Sequence, residues 1–184
     1  RRGVTPEQVA THRIGVATRG YYSGCIILPV VQNGVVAYWV ARAFQRPGKK
    51  YLNPPNGSVS MTASEVLFNV DVAALLGRAV IVEGYFDALA EGPVGVATLG
   101  KSLSDAQLAK LELEFPRGAE IRVKRDEDVA LVASMEDARR IRSAGFTNVH
   151  VDRPRGDPGQ RLGLRDTREY TFSRYIASAV GVDR

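Results

Sequence analysis

The 184-residue chain is 45% hydrophobic and 24% charged, the balance of one soluble globular domain or of two small ones sharing an interface. It has no run near the roughly 18 apolar residues of a membrane span, its start RRGVTPEQVA lacks a signal-peptide core, and its single cysteine, Cys25, excludes an internal disulfide and argues against a cysteine-based zinc site. The net charge of +5 is uneven: residues 1–57 hold eight Lys and Arg against one acid, Glu7, whereas residues 58–184 hold 17 basic and 19 acidic groups. That asymmetry fits either an anionic partner met at a junction or a merely solubilising surface.

In chain order, TPEQVATHRIG predicts a short helix, with Thr5 as N-cap, Pro6 at the first helical position and Gly15 ending it. CIILPVV and VVAYWVARAF read as two strands around Asn33-Gly34, a strong hairpin signal. QRPGKKYLNPPNGS is punctuated by Pro and Gly and reads as a loop. SEVLFNVDVAALL carries apolar residues at helical spacing, with Thr62 or Ser64 as possible cap. Beyond Leu76 the rhythm alternates. AVIVE, VGVATLG, AEIRVKRDED and NVHV are expected strands, and the helices between them are YFDALAE, SDAQLAKLELEF (opened by the box Ser104-x-x-Gln107) and SMEDARRIRSAG (capped by Ser134, stopped by Gly145). A β-α-β-α-β-α-β order predicts a parallel α/β sheet with right-handed crossovers. The basic strand IRVKRDED is expected at a sheet edge, and the tail from residue 164 as a polar link with one weak helix.

Ligands of an open parallel sheet sit beyond the carboxyl ends of its strands, and the acids collect there. Glu83 ends the first parallel strand and Asp87 follows in the next helical turn; Asp126 and Asp128 end the third strand with i, i+2 spacing, which puts both on one side of an extended backbone. Carboxylates converging on one edge repel unless a cation neutralises them. Oxygen ligands without His or Cys select a hard ion, Mg²⁺ or Mn²⁺, and with it phosphoryl chemistry. His12 and His150 have no partner at ligand spacing and read as structural, and Cys25 reads as a core residue.

The segments VIVEGYFDALA, GVATLGKSLSDAQLAKL and RDEDVA together resemble the TOPRIM domain shared by DnaG-type primases, topoisomerases and related nucleases. IILPVVQNGVVAYWVARAF, KKYLNPPNGS and LFNVDVA are similar to the part of the bacterial and phage primase core that precedes its TOPRIM domain, and PRGDP to a later acidic segment. The resemblance implies an α/β fold in which a TOPRIM-like parallel sheet flanked by helices follows a smaller basic α+β subdomain. Residues 1–76 would be that template-binding piece, 77–163 the metal-binding domain and 164–184 a tail. It implies Glu83, Asp126 and Asp128 as catalytic metal ligands, Asp87 and the more distant Asp157 as additional ones, and Arg42, Lys49, Lys50, Tyr51 and Asn53 as nucleic-acid contacts. Tyr51 would either stack on a base or anchor its loop.

The expected function is template-directed RNA primer synthesis with Mg²⁺ or Mn²⁺, from single-stranded DNA and ribonucleoside triphosphates, in the cytoplasm (a host's, if phage-encoded). No zinc-binding module is recognised before the core and no helicase-binding domain after it, so a separate zinc-binding subunit or a replicative helicase is an expected partner. Two alternatives stay open. A TOPRIM nuclease would use the same metals to cleave a phosphodiester. A catalytically silent subunit of a split primase would only hold single-stranded DNA, a reading kept open by Val129 and Gly159, where the family often has glycine and a second acid.

Overall fold

The computed structural model describes residues 3–44, 50–55, 57–125, 130–152 and 169–171. Its first helix, α1 (Pro6–Thr11), opens at the expected N-cap, which the structure extends to a capping box: Thr5 Oγ1 accepts from Gln8 N at 3.2 Å, and Gln8 Oε1 accepts from Thr5 N at 3.0 Å. Four strands follow as an antiparallel meander, β1 (Gly15–Ala17), β2 (Cys25–Gln32), β3 (Val35–Ala43) and β4 (Tyr51–Leu52), in the order β1-β2-β3-β4. Asn33 and Gly34 both have positive φ, 51° and 77°, as a two-residue hairpin turn matched to strand twist requires. On β3 the side chains alternate as a half-buried strand should: Tyr38 is buried, and its neighbour Trp39 stacks edge-on against Tyr22 on the other face. Cys25 is fully buried.

The second sheet contains β5 (Arg78–Val82), β6 (Gly95–Ala97), β7 (Glu120–Val123), β8 (Asn148–Asp152) and β9 (Glu169–Thr171) in the order β6-β5-β7-β8-β9. The first four are parallel, and β9 joins antiparallel to β8. Between them run α3 (Tyr85–Ala90), α4 (Asp105–Glu114) and α5 (Ala130–Ser143). The apolar run that becomes β5 faces two cores at once. Ala79 and Ile81 pack with Leu111, Ile121 and Ile141 on one side, and Val80 and Val82 with Leu28, Tyr38, Phe68 and Tyr85 on the other. A strand covered on both faces has no polar side to show, which accounts for its unbroken hydrophobicity.

Four expectations need correction. The basic strand is not at an edge: β7 lies between β5 and β8, and its charges are neutralised by partners far away in sequence. Arg122 pairs with Asp152 at 2.8 Å and Lys124 with Glu91 at 2.5 Å, while Arg125, just past the strand, is buried against Asp137. The helix expected over 64–76 is only α2 (Val70–Leu75). Upstream of it Glu65 closes a turn on Thr62, and Phe68 exchanges backbone hydrogen bonds with Ala97, so Val66, Leu67 and Phe68 are buried as extended chain. Ser134 is no cap, because α5 begins at Ala130 and Ser134 is buried in mid-helix. Gly15 does not end the first helix, since α1 stops at Thr11 and Gly15 opens β1, and the weak helix expected in the tail falls outside the described residues.

Helix α3 lies so close to β6 that Gly95 has no room for a side chain. A Cβ there would overlap the Ala88 carbonyl oxygen and come within 2.7 Å of its carbon and 2.8 Å of Ala88 Cα. Gly95 has an ordinary extended conformation, φ −70° and ψ 126°, so the constraint is purely steric. Gly95→Ala is therefore expected to cost about 3 kcal/mol, the upper range for overpacking. Thermal denaturation checks it; a variant as stable as the wild type would mean that α3 can lift off β6 freely.

Candidate metal and nucleic-acid site

The carboxyl edge of the parallel sheet builds one wall of the site. Glu83 is the first residue past β5, Gly84 is the N-cap of α3, and Asp87 lies in that helix's first turn. The Asp87 side chain lies directly against Gly84: a Cβ there would sit 2.3 Å from Asp87 Oδ2 and 3.5 Å from its Cγ. The Asp87 carboxylate thus folds back over the turn and shares the Glu83 side of the cleft. Tyr85, between them, is an anchor. Its hydroxyl donates to the Pro29 carbonyl at 3.0 Å, its ring lies 3.8 Å from that of Phe68, and burial pushes its pKa far up, so it stays a neutral donor.

The cleft has a volume of about 440 Å³. Glu83, Gly84 and Asp87 line it from the parallel sheet, Lys50, Tyr51 and Asn53 from the antiparallel one, and Leu99, Gly100 and Lys101 from the loop between β6 and α4. Tyr38, Val40 and Tyr85 give it an apolar floor. The arrangement therefore brings five of the sequence-predicted residues together: Glu83, Asp87, Lys50, Tyr51 and Asn53. Arg42 stands slightly apart. It pairs in register with Tyr51 across β3 and β4, its guanidinium donates to the Tyr51 hydroxyl, and it sits 4.8 Å from the Tyr51 ring centre and 5.4 Å from that of Phe86. Arg42 thus braces Tyr51, which is 41% exposed.

Lys49, Asp126, Asp128 and Asp157 lie outside the described residues. What is described is the strand leading to the aspartate pair. β7 runs parallel to β5 with Val123 level with Ile81, Lys124 N donates to the Ile81 carbonyl at 2.8 Å, and the chain reaches Arg125 at the same sheet edge as Glu83. Among the described residues no three His, Cys, Asp or Glu side chains group closely enough to hold a metal. Those residues contribute Glu83 and Asp87, an oxygen-only pair that suits a hard divalent cation. His12 packs on Phe68, where burial lowers its pKa, and His150 lies beside Asn148; neither lines the cleft.

Sequence reasoning did not single out Lys101 and Arg125. Lys101 lies within GVATLGKSLSDAQLAKL, where nothing local marks it for a role. Arg125 adjoins the acidic segment, but its importance depends on Asp137, twelve residues on, which only the fold reveals. Arg125 Nη2 and Nε contact Asp137 Oδ2 at 2.5 and 3.1 Å, and Nη1 contacts Thr98 Oγ1 at 2.7 Å and the Gly100 carbonyl at 3.3 Å.

No family model matches the chain. Over 99 residues it is 38% identical to the DNA primase of Thermotoga maritima, a match covering 49% of this chain and 17% of that protein. The fold is similar to that of the Aquifex aeolicus primase zinc-binding and RNA polymerase domains, with a TM-score of 0.69 at 21% identity, covering 96% of this chain and 50% of that one. It is also similar to the RNA polymerase domain of Mycobacterium tuberculosis primase DnaG, with a TM-score of 0.63 at 24% identity, covering 97% and 67%. The chain thus has the mixed α/β fold of the DnaG-type primase catalytic core, and its matched stretch spans about a sixth of the curated relative's length.

Proposed function

We propose that this chain is the nucleotidyl-transfer core of a DNA primase, joining ribonucleotides on a single-stranded DNA template. The observation that carries the reading is the cleft itself. Carboxylates at a parallel-sheet edge meet a lysine, a tyrosine and an asparagine from a basic antiparallel sheet, within a primase-core fold. In this reading residues 1–76 hold the template, residues 77–163 hold metal and nucleotide, and 164–184 are a tail. Glu83 and Asp87, joined by Asp126 and Asp128 and more distantly by Asp157, would hold Mg²⁺ or Mn²⁺. When bound, the metal neutralises triphosphate charge and activates a 3′-hydroxyl. The protein's own groups do the rest. Lys50, with Lys49 beside it in sequence, attracts phosphates; Tyr51 offers an exposed ring, held by Arg42, for a base; Tyr38, Val40 and Tyr85 keep one side of the cleft apolar and so strengthen charge interactions within it.

The direct test is incubation with single-stranded template, labelled ribonucleotides and Mg²⁺ or Mn²⁺. Ribonucleotide primers support the proposal. Shortened DNA would replace it with a nuclease, and retention of DNA without chemistry with a silent subunit. A salt titration of single-stranded DNA binding, followed by fluorescence anisotropy, tests the basic wall. Binding should be sequence-tolerant, with a log–log salt slope near −0.7 per phosphate neutralised, and Lys50→Ala should remove about one contact's worth for all sequences alike. Arg42→Ala should weaken binding too, partly by releasing Tyr51. If both variants keep wild-type affinity and slope, the template path lies elsewhere.

A further inference from the structure

A second lysine in the cleft comes from the opposite sheet. Lys50 adjoins β4, whereas Lys101 follows β6, and both line the space that Glu83 and Asp87 line. Elsewhere lysines are neutralised within the fold: Lys110 lies by Glu114 and Lys124 by Glu91. No ion pair among the described residues engages Lys101. Its positive charge is thus available to whatever enters beside the carboxylates.

The loop that carries Lys101 is unusually constrained. Thr98 N donates to the Val82 carbonyl at 3.0 Å, Gln107 Nε2 to the Thr98 carbonyl at 2.8 Å, and Leu99 holds a left-handed φ of 57°. Such a conformation costs a non-glycine residue energy and persists only where the surroundings over-determine it. The surroundings here are Arg125 and Asp137. Arg125 donates to Thr98 Oγ1 and to the Gly100 carbonyl from one side, and Asp137 Oδ1 accepts from Leu103 N, at 3.1 Å, from the other. The guanidinium is fully buried, so its hydration has been exchanged for these contacts. A buried charge is a costly way to fix a surface loop unless the loop's position matters.

We infer that Lys101 is a second phosphate-binding residue of the cleft, and that the buried Arg125–Asp137 pair positions the loop that presents it. This rests on the primase reading, and specifies that the triphosphate of the incoming nucleotide is met by Lys101 from the parallel-sheet wall, beside the carboxylates that would hold the metal, whereas Lys50 and the basic sheet keep the template phosphates.

The test uses the full chain with a fluorescent ribonucleoside triphosphate in the presence of Mn²⁺, and inorganic tripolyphosphate as competitor. Lys101→Ala is solvent-exposed and should fold normally. It should raise the triphosphate Kd and KM about tenfold, the worth of one charge-assisted contact, with kcat at saturation and single-stranded DNA affinity little changed. Lys101→Arg should restore most of the loss. Thr98→Val, which removes the hydroxyl that accepts from Arg125 and itself bonds the Gly100 and Val82 carbonyls, and so loosens the loop without touching the cleft, should raise the Kd in the same direction but add nothing in a Lys101→Ala background. Wild-type affinity in Lys101→Ala overturns the inference and leaves the primase reading standing. Additive effects of Thr98→Val and Lys101→Ala overturn the positioning role. If the wild type binds neither triphosphate nor tripolyphosphate, the primase reading falls and the inference with it.

Discussion

Glu83→Gln is expected to lower primer synthesis by about 10³-fold or more while leaving the fold and DNA affinity intact, a loss on the scale of removing a preorganised electrostatic group. The swap keeps volume and shape, removes the charge and turns one acceptor oxygen into a donor. Glu83 sits at the mouth of β5, where a two-sided core fixes the backbone that mounts its side chain. Two measurements separate chemistry from binding. Anisotropy should give unchanged or slightly tighter single-stranded DNA binding, because an anion has left the cleft. Thermal denaturation should show wild-type stabilisation by Mg²⁺ or Mn²⁺, about 2.7 kcal/mol at a hundred times Kd, and little or none in the variant. Equal metal-induced shifts in both proteins would move the metal away from Glu83.

The second large effect concerns stability. Arg125 is 0% exposed and Asp137 3% exposed at the side chain, so removing one partner strands the other in a medium that solvates it poorly. Asp137→Leu should cost about 3 to 5 kcal/mol and lower Tm by about 10 °C or more. Arg125→Met should cost less: a stranded arginine cannot give up its proton and keeps only the neutral acceptors Thr98 Oγ1 and Gly100 O, whereas Asp137 keeps the Leu103 N–H and the Arg140 guanidinium 3.8 Å away. The double variant Arg125→Met/Asp137→Leu replaces the pair by apolar volume and should recover most of the stability lost in Asp137→Leu. Simple additivity of the two changes would mean that the pair is not coupled as its geometry requires.

Where the sequence was readable, the determinants were local. The Asn33-Gly34 turn, the Thr5 cap, the Ser104 capping box and the β5 run each follow from a few adjacent residues, and so does the placement of Glu83 and Asp87 on one turn. The misreadings have a common physical origin in partners distant along the chain. Arg122, Lys124 and Arg125 make β7 look too charged for the middle of a sheet until Asp152, Glu91 and Asp137 are brought beside them. Val66 to Phe68 have helical spacing, but Phe68 is drawn into extended chain by its bridge to Ala97. Ser134 suggests a cap from local sequence alone, but the carboxylate three residues on, Asp137, is the counter-ion of Arg125. Lys101 belongs to the same class: only the fold shows that its loop shares a cleft with Lys50, about fifty positions earlier.

The double burial of β5 has a consequence for how the molecule comes apart. Val80 and Val82 belong to the cluster that also contains Leu28, Val30 and Tyr38, and Ile81 to the cluster that contains Ile121 and Ile141. Peeling away the antiparallel sheet would wet one face of β5, and opening the helical layer would wet the other. Neither half keeps a complete interior alone, so the two sheets are expected to melt as one cooperative unit, a single transition by every probe. The walls of the cleft consequently persist or dissolve together.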